Sequence, residues 1–250
     1  MPLILMLQSV FASKRQRVAL QHRQNDYLQL LNKRDDDLLA FHLRINQHLD
    51  AGQRNWKSYD YGEGYFYQSC PEVGISGFRD TAGRVKAMDL KNRVAGKTVL
   101  EIGSNTGFIS VAIAPDAKQV TGFDIGPHLI DISNETAQYL NLTNTKFECC
   151  TFEEFKTEQK FDIVLSFANH STYDGNSTLE LSTFFKRCHE LLVSDGLLLF
   201  ESHPPGLENA EQVEATCRLI AEDFDILSRE VLSYGSFLDQ NRTFLVGQKK

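Results

Sequence analysis

The segment with the clearest chemical potential is a glycine turn at residues 103–107, of sequence G-S-N-T-G, which follows an apolar strand and opens a helix. In such a turn the backbone can approach a ligand closely. Counted from Gly103, a dinucleotide-binding G-x-G-x-x-G pattern would need glycine where Asn105 and Phe108 stand. The turn therefore suits a nucleoside ligand without phosphates, and Asn105 fits because asparagine tolerates a positive φ.

An acidic residue follows at the spacing that a ribose requires. The next predicted strand ends in Asp124, twenty-one residues after Gly103. A carboxylate at this position can accept hydrogen bonds from both ribose hydroxyls. The turn and the acid are each weak signals alone, but together, in this order and at this spacing, they predict an adenosine-like ligand.

Two polar loops follow the predicted fourth and fifth strands. The first contains Asn169, His170 and Tyr173, and the second contains Glu201 and His203, which share one face by period-two alternation. His170 is the candidate general base for a hydroxyl nucleophile, although a histidine that staples its loop fits equally. Asn169, Glu201 and His203 are further catalytic candidates. His170, Glu201, His203 and Asn169 are also plausible ligand types for a divalent ion, which remains the alternative. We expect no metal, because no close ligand spacing accompanies these side chains.

These features resemble the class I S-adenosylmethionine-dependent methyltransferases. Glu101, Gly103 and Gly107 match the family's first motif, E/D-x-G-x-x-x-G, and Asp124 matches the acid that ends its second strand. The segments 161–166 and 191–200 are similar to its fourth and fifth strand regions. The sequence departs from the family at Asn105, where a glycine is usual, and at Thr151, where an Asp is common.

The resemblance implies S-adenosylmethionine as cofactor and a Rossmann-like α/β fold, with a seven-stranded, mostly parallel sheet covered by helices on both faces. The residues that we expect to contact the cofactor are Glu101, Gly103, Ser104, Asn105, Gly107, Phe108, Asp124, Ile125, Thr151, Phe152, Phe167, Arg79 and Arg84.

Arg79 and Arg84 precede the first strand, and one of them could clamp the carboxylate of the cofactor. A surface helix with an ion pair between Asp80 and Arg84 is the alternative. Asp80, Thr81 and Arg84 also give this stretch a faint similarity to the tRNA wobble-uridine carboxymethyltransferases.

The predicted activity is methyl transfer to a hydroxyl, or in second place an amine, of a small molecule or sugar. The expected substrate contacts are aromatic residues of the segment 56–67 and of the loop after the fourth strand: Trp56, Tyr65, Tyr67 and Tyr173. Packing of these rings against the core is the alternative for the aromatic segment. An RNA-modifying transferase, an idle cofactor-binding module that mediates assembly, and a nicotinamide enzyme remain alternative functions.

Two regions are expected along the chain. Residues 1–90 form a helical arm and an aromatic substrate cap, and residues 91–250 form the methyltransferase domain. In the arm, apolar residues recur at helical spacing from Ser13 to Leu49, as one helix or two, ending at Ala51–Gly52. We expect such an arm to pack on the domain or on a second copy of itself, and a substrate lid or a membrane-surface helix is the alternative.

The composition sets limits on partners and compartment. The chain has 250 residues and a formal net charge of -7, and residues 1–50 hold seven Lys or Arg against five Asp or Glu, so the acidic excess lies in the remainder. An acidic body disfavours nucleic acid as partner. Five cysteines without a C-x-x-C pair favour the reducing cytoplasm. The apolar run at Met1–Leu7 is too short to span a membrane, and we expect neither a signal peptide nor a transmembrane segment.

Overall fold

The computed structural model describes residues 14–55, 65–170, 177–235 and 237–250. Its strands are β1 Thr98–Ile102, β2 Gln119–Asp124, β3 Thr145–Cys149, β4 Phe161–Phe167, β5 Leu192–Glu201, β6 Phe224–Leu232 and β7 Arg242–Lys249. Its helices are α1 Lys14–Lys33, α2 Asp36–Asn55, α3 Thr81–Ala87, α4 Leu90–Val94, α5 Phe108–Ile113, α6 Pro127–Tyr139, α7 Leu181–Leu191 and α8 Ala210–Asp223.

All seven strands form one sheet, in the order β3-β2-β1-β4-β5-β7-β6. The pairs among β1 to β5 are parallel, whereas β7 is antiparallel to both β5 and β6. The predicted seven-stranded, mostly parallel α/β sheet is therefore confirmed. The strand order reverses between β1 and β4, and in open α/β sheets ligands bind beyond the carboxyl ends of the strands at such a reversal.

Successive residues of the central strands face two different apolar clusters. Leu100 of β1 belongs to a cluster built with α7 and α8, while Val99 belongs to one built with α3, α4 and α5. Both side chains are fully buried. Because helices cover both faces, each residue of β1 from Val99 to Ile102 is buried, including the charged Glu101, instead of every second residue.

The predicted helical arm consists of two helices that pack on the domain itself. Phe41 and Ile45 of α2 share a buried cluster with Phe108 of α5 and Ile132 of α6. The predicted end at residues 51–52 is wrong, because α2 continues to Asn55. Gly52 serves close packing here: a Cβ at this position would lie 2.1 Å from Cγ of His128.

No helix in the described ranges combines the length and the apolar character that crossing a bilayer requires.

Candidate active site

The glycine turn adopts left-handed backbone conformations at three positions. The φ angles are 61° at Gly103, 53° at Asn105 and 69° at Gly107. The positive φ predicted for Asn105 is thus confirmed. The N–H of Ser104 donates to the carbonyl of Phe123 at 2.9 Å, which fixes the start of the turn on the neighbouring strand β2.

Asp124 closes this turn from the end of β2. Its Oδ2 accepts the N–H of Asn105 at 2.9 Å, and its Oδ1 accepts the N–H of Gly126 at 3.0 Å. The side chain lies at the carboxyl edge of the sheet and is 8% exposed. A carboxylate has about four acceptor sites, so these two bonds are compatible with the predicted contacts to a ribose.

Three buried polar atoms of the turn have no hydrogen-bond partner within the described residues. They are Oγ of Ser104, Oδ1 of Asn105 and Oγ1 of Thr106. Buried polar atoms are nearly always satisfied in folded proteins, because leaving them unpaired costs about 1–3 kcal/mol each. Their concentration in one turn at the ligand edge of the sheet fits a nucleoside that supplies the missing partners.

Glu101 anchors the first strand to the helix that follows the turn. Its Oε2 accepts the N–H of Ser110 at 3.1 Å and the hydroxyl of Ser110 at 2.5 Å. Burial raises the pKa of the Glu101 carboxyl to about 7, although the bonds from Ser110 and the charge of Arg84 oppose this shift. The observed partner thus lies in α5, and the cofactor contact of Glu101 stays a prediction.

The predicted role of Arg79 as a cofactor clamp is wrong for the structure as it stands, because two buried carboxylates occupy its guanidinium. Nε donates to Asp239 at 2.6 Å, and Nη2 donates to Glu201 at 2.9 Å. The alternative ion pair between Asp80 and Arg84 is also wrong. Asp80 instead caps α3 by accepting the N–H of Gly83 at 3.0 Å.

Glu201 lies at the centre of this buried ion cluster rather than in a catalytic position. Its oxygens accept hydrogen bonds from Arg79, Arg84 and Tyr234. Burial alone would raise the pKa of Glu201, but the guanidinium groups of Arg79, Arg84 and Arg242 hold it well below its usual range. A carboxylate that stays ionised cannot exchange protons near neutral pH, which corrects the catalytic expectation for Glu201.

Arg84 differs from Arg79 in having unused donor capacity. Nη2 donates to Glu201 at 2.8 Å, while Nε is buried without a partner in the described part of the chain. The guanidinium carbon lies 5.3 Å from the ring centroid of Phe167, which is partly exposed at the end of β4. Of the two predicted arginines, Arg84 is therefore the one suited to hold a carboxylate of the cofactor.

His170 lies directly after β4, and a carboxylate that sequence reasoning missed holds its ring. Nε2 of His170 is 3.0 Å from Oε1 of Glu208. Nδ1 is buried and has no partner among the residues that the structure describes. The ring centroid lies 4.9 Å from that of Phe200 and 4.8 Å from that of His203.

Two further catalytic candidates have positional roles. Oδ1 of Asn169 accepts the hydroxyl of Ser166 at 2.7 Å, and Nδ2 donates to the carbonyl of Ile102, so Asn169 ties β4 to β1. Burial, together with the charge of the adjacent His170, lowers the pKa of His203 to about 3. His203 is therefore neutral and weakly basic at neutral pH, and its catalytic role stays a prediction.

Among the predicted substrate contacts, Trp56 and Tyr173 lie outside the described residues. Tyr65 is buried and stacks on His22 of α1 with ring centroids 6.0 Å apart, so it packs the arm against the domain and is not a substrate contact. Tyr67 is partly exposed, and the guanidinium of Arg79 lies 6.0 Å from its ring centroid. Tyr67 therefore remains the candidate.

The predicted cofactor contacts include two aromatic side chains that belong to the core. Phe108 is fully buried and packs against Phe66, and Phe152 is fully buried and stacks on Phe123. Core packing surrounds both rings, and the cofactor contacts of these two residues stay a prediction.

The other cofactor candidates lie where the sheet meets its ligand edge. Ile125 and Thr151 are partly exposed there, just beyond the carboxyl ends of β2 and β3. Within the described ranges, no group of three or more His, Cys, Asp or Glu side chains is placed to hold a metal ion.

Known proteins share both the sequence pattern and the fold. The malonyl-[acyl-carrier protein] O-methyltransferase of Acetivibrio thermocellus is 27% identical over 198 residues, which covers 65% of each chain. The ubiquinone biosynthesis O-methyltransferase of Coxiella burnetii is 34% identical over 82 residues, 32% of this chain and 35% of that protein. This chain thus spans less than two thirds of the length of either relative.

The fold is similar to that of the N-methyltransferase NodS from Bradyrhizobium japonicum WM9, crystallised with S-adenosyl-L-homocysteine. The TM-score is 0.53 at 18% identity, over 68% of this chain and 93% of NodS. The model of the methyltransferase domain family matches residues 93–242, which include the glycine turn, Asp124 and His170. The chain therefore belongs to the methyltransferase domain family, as its resemblance to the class I S-adenosylmethionine-dependent enzymes predicts.

Proposed function

We propose that this chain transfers the methyl group of S-adenosylmethionine to an oxygen of a small molecule or sugar, with His170 as the proton acceptor. Family membership supports methyl transfer. Two of the similar proteins are named as O-methyltransferases, which supports oxygen as the acceptor atom. The acidic excess of the chain disfavours RNA as the substrate.

The residues that would hold the cofactor are those of the glycine turn, Asp124 and Arg84. Ser104, Asn105 and Thr106 present buried polar atoms in need of partners. Asp124 would accept hydrogen bonds from the ribose, and the free Nε of Arg84 would donate to the carboxylate. When bound, the cofactor supplies a methyl group already activated on a sulfonium, so the protein mainly has to position the acceptor.

The single observation that carries the choice of oxygen is the state of the His170 ring. Nε2 contacts a carboxylate, while Nδ1 is left without a hydrogen bond in the described structure. A hydroxyl nucleophile needs a proton acceptor, and an imidazole nitrogen with a free lone pair is the group most often used. Substrate contacts are proposed for Tyr67 and, outside the described residues, for Trp56 and Tyr173.

The setting proposed for this reaction is the reducing cytoplasm, since all five cysteines are free thiols. A homodimer through the arm is a further proposal.

The experiment is a transfer assay with methyl-labelled S-adenosylmethionine and a panel of phenols and sugars, beside matched amines. We expect label in the hydroxyl compounds, and His170→Ala should reduce turnover about 10²-fold with little change in cofactor affinity. His48→Ala is the control. His48 lies on α2, and its ion pair is with the exposed Asp131 at 3.6 Å. Transfer to amines alone, or an unchanged His170→Ala enzyme, would overturn the proposal.

A further inference from the structure

Glu208 joins the two polar loops at the carboxyl edge of the sheet. Oε1 lies 3.0 Å from Nε2 of His170, and Oε2 accepts the backbone N–H of His203 at 3.0 Å. The residue is 8% exposed, and both carboxylate oxygens are engaged. We infer that Glu208 is the positioning residue for His170, selecting the tautomer whose Nδ1 accepts the substrate proton. This inference rests on the proposed function.

A turn after β5 positions the carboxylate of Glu208. The N–H groups of Leu207 and Glu208 donate to the carbonyl of Pro204 at 2.8 Å and 3.1 Å, which turns the segment after β5 toward β4. The bond from Oε2 to the backbone of His203 then fixes the rotamer of Glu208. A carboxylate held in this way can hold the imidazole in turn.

Packing restricts the ring of His170 to one orientation. Phe200 lies edge-on at 4.9 Å between centroids, and Phe185 of α7 lies at 6.4 Å. His170 is 3% exposed. Because Nε2 faces a carboxylate, the proton of the neutral ring is placed on Nε2 and the lone pair on Nδ1.

The two titratable side chains beside the His170 ring keep fixed charge states at neutral pH. Burial would raise the pKa of Glu208, but its hydrogen bond and charge interaction with His170 lower it overall, so Glu208 stays anionic at neutral pH. His203 stays neutral with a pKa of about 3. The charges of Arg242 and Glu201 also act on His203, in opposite directions. Burial raises the pKa of Cys217 in α8, and the charge of Glu208 adds to this effect.

His170 and Glu208 form a dyad that can take up the proton of the acceptor hydroxyl. The proton of the acceptor hydroxyl passes to Nδ1 of His170, and the electron pair of the O–H bond stays on the oxygen as nucleophile. His170 becomes an imidazolium whose Nε2–H still donates to Glu208. The carboxylate thus stabilises the charge that forms during the reaction, and the proton is later released to solvent.

The test is nitrogen-15 NMR of the histidine rings in the full chain, with S-adenosylhomocysteine as the added probe. In the unaltered protein we expect His170 to carry its proton on Nε2 at neutral pH. In Glu208→Gln the ring should titrate about one pH unit lower, because no carboxylate stabilises the imidazolium. Glu208→Asp should restore part of this shift, and Glu211→Gln, an exposed change in the first turn of α8, should leave the titration unaltered.

The same variants are then compared in the methyl-transfer assay. We expect Glu208→Gln to lower kcat tenfold or more without changing KM for S-adenosylmethionine, and to move the acid limb of the pH profile to lower pH. A Glu208→Gln protein whose NMR titration and kcat match those of Glu211→Gln would overturn the inference.

The inference and the proposed function fail in distinguishable ways. If His170→Ala abolishes transfer while Glu208→Gln behaves like the unaltered protein, only the inference is wrong. If Glu208→Gln shifts the titration of His170 but His170→Ala transfers methyl groups normally, the dyad exists and the proposed base is wrong. Either result overturns the positioning role that we infer for Glu208.

Discussion

The backbone N–H of Asn105 donates to Oδ2 of Asp124 at 2.9 Å. This bond joins the turn after β1 to the acid that ends β2, two features separated by nineteen positions in the chain. Each feature is ambiguous by itself, and the bond shows that they form one structure. The carboxylate is fixed before a ligand arrives, which lowers the entropic cost of binding a ribose.

Replacement of Asp124 should weaken cofactor binding more than it weakens folding. In Asp124→Ala we expect the affinity for S-adenosylmethionine to fall by about 10-fold to 100-fold, because hydrogen bonds to a charged group contribute about 1.5–3 kcal/mol. Calorimetric titration measures the change. Asp116→Ala is the matched control, since Asp116 lies at the opposite edge of the sheet and only approaches Lys91 at 4.0 Å. Equal affinity in the two variants would contradict the ribose assignment.

Backbone strain gives a second test, because φ is 53° at Asn105. In Asn105→Val we expect a loss of about 1–3 kcal/mol in the free energy of unfolding, since a β-branched residue is strained in the left-handed region. Asn105→Gly should retain stability. Urea denaturation of both variants checks this, and equal stabilities would show that the turn does not need this conformation.

The buried carboxylate Glu201 should contribute strongly to stability. Glu201→Gln removes the anion that Arg79, Arg84 and Arg242 share and leaves Asp239, which pairs with Arg79. We expect a loss of about 3–5 kcal/mol in the free energy of unfolding. Glu135→Gln, which breaks the exposed pair with Arg44 at 3.0 Å, is the control and should cost at most about 1 kcal/mol. Comparable losses in the two variants would mean that the cluster is not a stabilising one.

The depressed pKa of Glu201 also fixes the pH range of this contribution. A carboxyl whose folded-state pKa lies below its ordinary value of 4.5 stabilises the protein fully above that value. The contribution is lost as the pH falls further. Urea midpoints of the unaltered protein and Glu201→Gln should therefore converge below pH 4.5.

The carboxyl of Glu101 should change stability with pH in the direction opposite to that of Glu201. Its pKa is raised from 4.5 to about 7 by burial, so the folded state binds the proton more tightly than the unfolded state does. The free energy of unfolding should therefore fall as the pH rises from 4.5 to about 7, and then level off. Glu101→Gln removes this slope, whereas the exposed Glu158→Gln keeps it. Urea unfolding at pH 5 and pH 8 measures the difference, and parallel slopes in both variants would contradict a buried, protonated Glu101.

The fold was predictable because local patterns determine it. Apolar strands such as β1 and β4, alternating with helices, predict a parallel sheet with helices on both faces, and the structure has it. The glycine turn and Asp124 were equally accessible, because turn chemistry and strand ends are local properties. The true end of α2 was not predictable, because glycine often ends a helix. Here Gly52 lies within the helix and packs closely against His128 of α6.

The partners of charged side chains were not predictable from the sequence. Arg79 and Glu201 are 122 positions apart, and only the tertiary fold brings them together. Glu208 follows a Pro-Pro-Gly stretch whose turn aims it back at His170, 38 positions away. The sequence indicates which polar side chains lie at the carboxyl edge of the sheet. Their contacts with one another, which only the fold determines, decide which of them face a ligand and which form ion pairs.

The central claim is that the turn at residues 103–107 and Asp124 bind a nucleoside that carries no phosphate. Calorimetric titration of the full chain with S-adenosylmethionine, and separately with NAD, tests it most directly. Saturable binding of S-adenosylmethionine and no measurable heat from NAD is the predicted result. Binding of NAD, or of neither compound, would contradict the account.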